Sequence, residues 1–121
     1  MAADRMLLLW GVLLLSVSAL LGFVQERHRH SPERFAQWRV VHAGGAAGAV
    51  QLIALAAVWH QFNATGWKEL LAVGLVVTSW AFFLGPLARA LDRPHVSRWI
   101  NIVGAIVALP TYIILPALVA L

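Results

Sequence analysis

The stretch WRVVHAGGAAGAVQLIALAAVW, residues 38–59, decides the fold of this chain. It carries an arginine directly after its first tryptophan and no other Asp, Glu, Lys or Arg. A helix needs about 20 predominantly apolar residues to cross about 30 Å of bilayer hydrocarbon. The stretch is therefore predicted to be a membrane-spanning helix.

Three more apolar stretches of similar length surround it. The four predicted helices cover residues 6–24, 38–59, 67–88 and 99–121. The 121 residues are 61% hydrophobic and 12% charged, which leaves too few charged side chains for the exterior of a soluble domain. Because the connectors are short, helices adjacent in sequence must be antiparallel neighbours. We predict an all-α, integral membrane four-helix bundle that forms a single transmembrane domain over residues 1–121.

Arginines concentrate on the first and third connectors and the adjoining helix ends. The two groups are Arg27, Arg29, Arg34 and Arg39, and Arg89, Arg93 and Arg98, whereas the opposite side has only Arg5 and Lys68. The positive-inside rule then predicts that both termini face out. We expect a multi-pass protein of the bacterial inner membrane. Topology and anionic lipid account for the net charge of +4, so the lipid bilayer is an expected partner and nucleic acid is not.

The first helix has one alternative reading. Arg5 precedes its apolar run, and Val17, Ser18 and Ala19 have the small-residue pattern of a signal-peptide cleavage site. The apolar run continues to Val24 and so reaches membrane-spanning length. We expect a retained helix, with cleavage as the alternative.

His42 is the main functional candidate because ionisable groups inside a membrane are costly and usually bind something. It precedes seven small residues that include a Gly44/Gly48 GxxxG spacing, and such a surface admits a second helix or a flat ligand. A histidine beside a side-chain-poor face supplies what a haem site needs: an axial nitrogen and room for a planar macrocycle. We predict His42 as a metal ligand, with Gly44, Gly45 and Gly48 binding the cofactor. An interfacial histidine bonded to a carbonyl or to water is the alternative.

Few other polar or aromatic side chains lie at membrane depth. The polar candidates for catalysis are Gln51, Asn101 and Tyr112, and the candidate walls of a substrate pocket are Trp80, Phe82 and Phe83. A proline kink at Pro110 is expected to turn Tyr112 inward. No carboxylate suited to be a membrane-buried general base is present, which favours metal-assisted rearrangement over hydrolysis.

Three segments carry a family resemblance. They are Trp38-Arg39-Val40-Val41-His42-Ala43-Gly44, then Trp80, then Ala108-Leu109-Pro110-Thr111-Tyr112. With four closely connected spans, the chain resembles the small membrane isomerases typified by styrene oxide isomerase, to which hydroxylaminobenzene mutases are similar. The resemblance implies that His42 is the axial ligand of haem b near the subunit interfaces of a homotrimer. It also implies that ferric iron acts as a Lewis acid on a small hydrophobic substrate, such as an aryl epoxide or a hydroxylamine.

The chain departs from that family at two places. The family has an asparagine at the position of Gly48, and polar and tyrosine residues in the third helix where this chain has Phe82 and Pro86. Haem binding by this chain therefore does not by itself imply that it isomerises epoxides. A noncatalytic haem-binding electron carrier and a cofactor-free membrane assembly subunit are the alternative functions.

Overall fold

The computed structural model describes residues 2–62 and 66–120. Within them the chain forms α1 (Ala3–Arg27), α2 (Pro32–Val58), α3 (Lys68–Ala90) and α4 (Pro94–Ala120), with a 3₁₀ turn at Trp59–Gln61. All four α-helices are long and apolar enough to cross a membrane, and the described residues contain no strand. The predicted all-α, four-helix membrane bundle is confirmed.

Helices α1, α2 and α4 begin before the apolar stretches that predicted them, whereas α2 ends and α3 begins within one residue of the prediction. Pro32 and Pro94 begin α2 and α4, six and five residues before the predicted starts. Proline suits the first helical turn because its φ is already helical and its missing N–H has no partner there. Hydropathy marks only the part of a helix that lies in hydrocarbon, so it misses these polar turns. The predicted end of the fourth helix, residue 121, lies outside the described residues.

A tight turn reverses the chain between α3 and α4. Asp92 adopts a left-handed conformation, with φ of 59°, which aspartate tolerates better than most residues. The Arg93 N–H donates to the Ala88 carbonyl at 2.8 Å, and the Asp92 N–H donates to the Arg89 carbonyl at 3.1 Å. These two bonds form a Schellman motif, which satisfies carbonyls at the end of α3. Pro94 then starts α4 in the opposite direction.

Helix α3 is the centre of the bundle. Half of its apolar window is buried, compared with 22% or less for the other three helices. Helices α1, α2 and α4 all pack on α3, and α1 also packs along α2. Helices α2 and α4 therefore lie on either side of α3 and leave an open groove between them. We call this the α2/α4 groove, with Gln51 and Tyr112 bridging it and Asn101 lining it nearer the arginines.

Glycines allow α2 to approach its neighbours closely. A Cβ at Gly45 would collide with the Ser18 hydroxyl of α1 and would lie 2.7 Å from the Phe83 ring of α3. In α1, a Cβ at Gly11 would lie 2.9 Å from Ile53 of α2. Without a driving force from water, helices in lipid associate through such close backbone packing. Helices α1, α2 and α3 thus form one tightly packed unit.

The buried side chains form two clusters along this unit. One cluster contains Ala3, Leu7, Leu52, Trp59, Phe62, Leu71, Ala72 and Leu75, and the other contains Leu14, Trp38, Val41, Ala49, Phe83 and Ala90. The second cluster lies around Gly45, since it contains Val41 and Ala49 of the same helix and Phe83 of α3. Most of the described outer surface is aliphatic, as a lipid-facing surface requires.

We expect Gly45→Ala to destabilise the protein, because its new methyl group must displace Ser18 or the Phe83 ring. Overpacking of this kind costs about 1–3 kcal/mol. Gly44→Ala is the matched control, since a Cβ there meets nothing closer than the Phe82 carbonyl at 4.0 Å. Thermal unfolding in detergent, followed by tryptophan fluorescence, measures both. Equal stabilities of the two variants would contradict this account of the packing.

Candidate functional site

The His42 side chain is held by a backbone carbonyl of the neighbouring helix. Its Nδ1 lies 2.6 Å from the carbonyl oxygen of Ser18 in α1. A carbonyl can only accept a hydrogen bond, so Nδ1 carries the proton and donates. In the neutral ring Nε2 then has a free lone pair, and it has no hydrogen-bond partner among the described residues. This is the arrangement in which a histidine binds a metal through Nε2.

Gly22 provides the space in which the imidazole lies. A Cβ at Gly22 would be 3.1 Å from Cε1 and 3.3 Å from Nδ1 of His42. Any larger residue would push the ring away from the Ser18 carbonyl. Gly22 and Ser18 lie one turn apart in α1, so a single turn of α1 both orients the ring and makes room for it.

The surface beside His42 carries few large side chains. His42 is half-buried at the seam of α1 and α2, Ala19 and Ala43 are exposed, and Ala46 is half-buried. We call His42, Ala19, Gly22, Ala43 and Ala46 the His42 face. It lies at the contact of α1 and α2, and its exposed members Ala19 and Ala43 have small side chains.

The predicted cofactor-binding glycines lie elsewhere on α2. Gly45 is buried between Ser18 and Phe83, and Gly48 packs near Ser79. Gly44 faces the backbone of α3 at Phe82. Helix packing within the bundle therefore explains Gly45, whereas a Cβ at Gly48 would make only ordinary contacts, at 3.4 Å from Ser79 and 3.5 Å from Leu14. The role of the three glycines toward a cofactor stays a prediction.

Two of the predicted polar residues meet across the α2/α4 groove. The Tyr112 hydroxyl lies 2.6 Å from Nε2 and 2.9 Å from Oε1 of Gln51. The hydroxyl thus accepts a hydrogen bond from Nε2 of Gln51 and donates one to Oε1 of the same amide. In lipid such bonds are a main source of specific contact between helices. The pair links α4 to α2 and places two polar groups at membrane depth.

Asn101 is not part of this pair. It lies eleven residues before Tyr112 in α4, about 16 Å along the helix axis. Its side chain packs on Gly85 of α3 and lines a cleft with Arg89 and Ser97. The structure therefore separates Asn101 from Gln51 and Tyr112.

The three predicted aromatic walls point in different directions. Phe83 is fully buried inside the bundle, whereas 45% of Phe82 is exposed. Trp80 makes edge-to-face contacts with Trp10 of α1 at 5.7 Å and with Phe83 at 5.9 Å. Of the three, Phe82 is the most exposed, Trp80 is partly buried against the core, and Phe83 belongs to the core itself.

His42 and Gln51 lie on opposite sides of α2. They are nine residues apart, which corresponds to about 180° around the helix and about 14 Å along it. His42 faces α1, while Gln51 faces the α2/α4 groove. One chain therefore cannot bring His42 and the Gln51–Tyr112 pair to the same small ligand.

Sequence reasoning missed Ser18 and Gly22. The small residues of the first helix are a signal that points to them, because Gly11, Ser18 and Gly22 follow spacings of seven and four that place them on one helical side. The sequence could not show that the Ser18 carbonyl accepts from His42, because every residue has a backbone carbonyl. Within the described residues, no three His, Cys, Asp or Glu side chains form a group that could hold a metal ion by themselves.

The family model described as styrene oxide isomerase matches residues 3–121. The chain belongs to the styrene oxide isomerase family. No curated protein and no solved structure matched the chain. It is thus a multi-pass membrane protein of an isomerase family, and the resemblance seen in the sequence is confirmed.

We expect ¹⁵N spectra of histidine-labelled protein to show the Nδ1 of His42 protonated, because the Ser18 carbonyl that it faces can only accept a hydrogen bond. In Gly22→Val the ring must move, so this signal should shift or split. Ala19→Val adds two methyl groups at an exposed neighbouring position and should leave the signal in place. An unprotonated Nδ1 in the unaltered protein would contradict the assignment.

We expect Gln51→Leu and Tyr112→Phe to be coupled by about 0.6–1.5 kcal/mol in a double-mutant cycle, because either change removes the same hydrogen bonds. Gln37→Leu with Tyr112→Phe is the control cycle, since no hydrogen bond joins Gln37 and Tyr112 among the described residues. Equilibrium unfolding in detergent gives both values. A cycle that is additive within about 0.5 kcal/mol would show that the pair contributes nothing.

Proposed function

We propose that this protein is a membrane-embedded, haem b-dependent intramolecular isomerase of a small hydrophobic substrate, such as an aryl epoxide or a hydroxylamine. The observation that carries the proposal is the free Nε2 of His42 at the edge of an open membrane surface. Membership of the styrene oxide isomerase family supports the reaction class. The charge distribution supports a bacterial inner-membrane location with both termini outside.

The His42 face fits one side of a haem. His42 offers Nε2 with its ring held by the Ser18 carbonyl, and Ala19, Gly22 and Ala43 leave flat space around it. Arg39 is exposed three residues earlier on α2 and supplies a cation for the carboxylates of the macrocycle. When bound, ferric haem supplies a Lewis acid for a substrate oxygen.

The residues of the chain then have three tasks in the isomerisation. An epoxide C–O bond breaks, a hydride moves to the neighbouring carbon and a carbonyl forms, so substrate and product have the same atoms. The apolar helices exclude water, which would otherwise capture the cationic centre. An exposed aromatic face such as Phe82 stabilises positive charge, and the Gln51–Tyr112 pair can orient a substrate oxygen by hydrogen bonding. No carboxylate base is needed because no proton is removed.

The separation of these groups supports a homo-oligomer. His42 and the Gln51–Tyr112 pair lie on opposite sides of α2, so both can reach one substrate only if two copies contribute. In a closed ring, the His42 face of one copy meets the α2/α4 groove of the next. A trimer is the ring size that the family resemblance implies.

We expect protein purified in detergent to show a Soret band that is lost in His42→Ala. His60→Ala is the matched control, because His60 is exposed in the 3₁₀ turn after α2 and should not contribute. Spectra are recorded after haem supplementation, before and after dithionite. A band that survives in His42→Ala, or its absence from the unaltered protein, would overturn haem ligation by His42. A bis-histidine spectrum would favour an electron carrier instead.

The reaction class has its own measurement. An aryl epoxide deuterated at the migrating position, converted in ordinary water, should give an aldehyde that keeps the deuterium. Retention shows an intramolecular hydride shift, and loss of the label shows proton exchange with water. Tyr112→Phe should slow turnover without removing the Soret band. Haem binding without any turnover would favour the noncatalytic haem-binding electron carrier over the isomerase.

A further inference from the structure

A polar cleft opens at the arginine-rich end of α3 and α4. On one side of Ser97 and Asn101 it holds about 590 Å³ between α3 and α4, and on the other about 400 Å³ beside α2. Arg89 of α3, with Ser97 and Asn101 of α4, lines both parts, and Arg98 lines the larger part. We propose that Arg89, Arg98, Ser97 and Asn101 form a site for the phosphate group of an anionic phospholipid.

The two arginines of the cleft carry uncompensated charge. Among the described residues neither Arg89 nor Arg98 forms a salt bridge or a side-chain hydrogen bond. Asp92, in the adjoining turn, pairs instead with Arg34 at 3.2 Å, and Arg34 also approaches the Ala90 carbonyl at 3.5 Å. The local carboxylate is thus already engaged. Two guanidinium groups beside one cleft attract an anion.

Ser97 and Asn101 add neutral donors to the same cleft. Ser97 is 4% exposed and lines both parts of the cleft. Asn101 is placed beside it because Gly85 has no side chain, and a Cβ there would collide with the Asn101 amide. A hydroxyl and an amide can each donate a hydrogen bond to an anion in the cleft.

This donor set suits a phosphate group. A guanidinium presents two parallel N–H groups that match two phosphate oxygens, and hydroxyl and amide donors can bond the remaining oxygens. Basic pockets between membrane helices at the positively charged side bind lipid headgroups of this kind.

The walls of the cleft change from polar to apolar away from the arginines. Ile102 and Ala105 of α4 continue the larger part, and Val40 and Pro86 flank the smaller one. An amphiphile fits this gradient, with its phosphate at the arginines and the start of an acyl chain along α4. A free phosphate ion would use only the polar end. The site uses neither His42 nor the Gln51–Tyr112 pair, although its smaller part is the arginine end of the α2/α4 groove.

The test is native mass spectrometry of the full chain in detergent with added phosphatidylglycerol or phosphatidylcholine. We expect phosphatidylglycerol adducts at low lipid concentration, and about tenfold weaker binding in Arg89→Gln/Arg98→Gln. Arg27→Gln/Arg29→Gln is the matched control. It removes the same charge from the same side of the membrane, outside the cleft, and should bind as the unaltered protein does.

Ser97→Ala keeps every charge and serves if the double variant folds poorly. We expect it to weaken phosphatidylglycerol binding by a smaller factor, with circular dichroism unchanged. An equal loss in both arginine double variants would overturn the proposal, because it would show diffuse charge attraction. Competition by millimolar inorganic phosphate would assign the cleft to a free ion instead. Equal binding of the two lipids would also overturn it.

Discussion

The close approach of α1 and α3 to the glycine-rich surface of α2 is the contact on which the structure depends. At Gly45 there is no room for a single extra carbon, because the Ser18 hydroxyl and the Phe83 ring occupy the space. In a bilayer, where burial of apolar surface gives no gain between helices, backbone proximity and interhelical hydrogen bonds supply the specificity. Once Ser18 is fixed against Gly45, its carbonyl is also fixed opposite His42, one helical turn away. Packing and the candidate site are therefore one arrangement.

This arrangement assigns separate roles to residues that the sequence groups together. The sequence predicts one binding surface from His42 and the glycines that follow it. Successive helical residues are about 100° apart, however, and face different neighbours. Gly45 allows the close approach of α1 and α3, while the space for the His42 ring comes from Gly22 of another helix, α1. A small-residue run in a membrane helix thus reports close approach, and only its partners show whether the occupant is a helix or a ligand.

The bundle also leaves its two chemically distinct regions facing outward. The His42 face opens on the side of α1 and α2, and the α2/α4 groove opens on the other side of α2. A chain of this size is too small to enclose a large planar cofactor and a substrate among its own four helices. If the proposed isomerase function holds, the neighbouring copy supplies the missing wall, and assembly completes the site.

The sequence by itself determined the four spans, the all-α class and the family resemblance, and it singled out His42 as the main functional candidate. These are properties of composition, period and residue type, which do not depend on which helices touch. It could not determine that Ser18 offers its carbonyl to His42, that Asn101 lies with Arg89 and not with Tyr112, or that Phe83 is buried while Phe82 is exposed. Those facts depend on the rotation and register of each helix against its neighbours. Hydropathy does not encode either quantity, because a helix that is apolar on most sides gives no amphipathic face to orient it. Only the packing of small residues, visible in the tertiary structure, decides them.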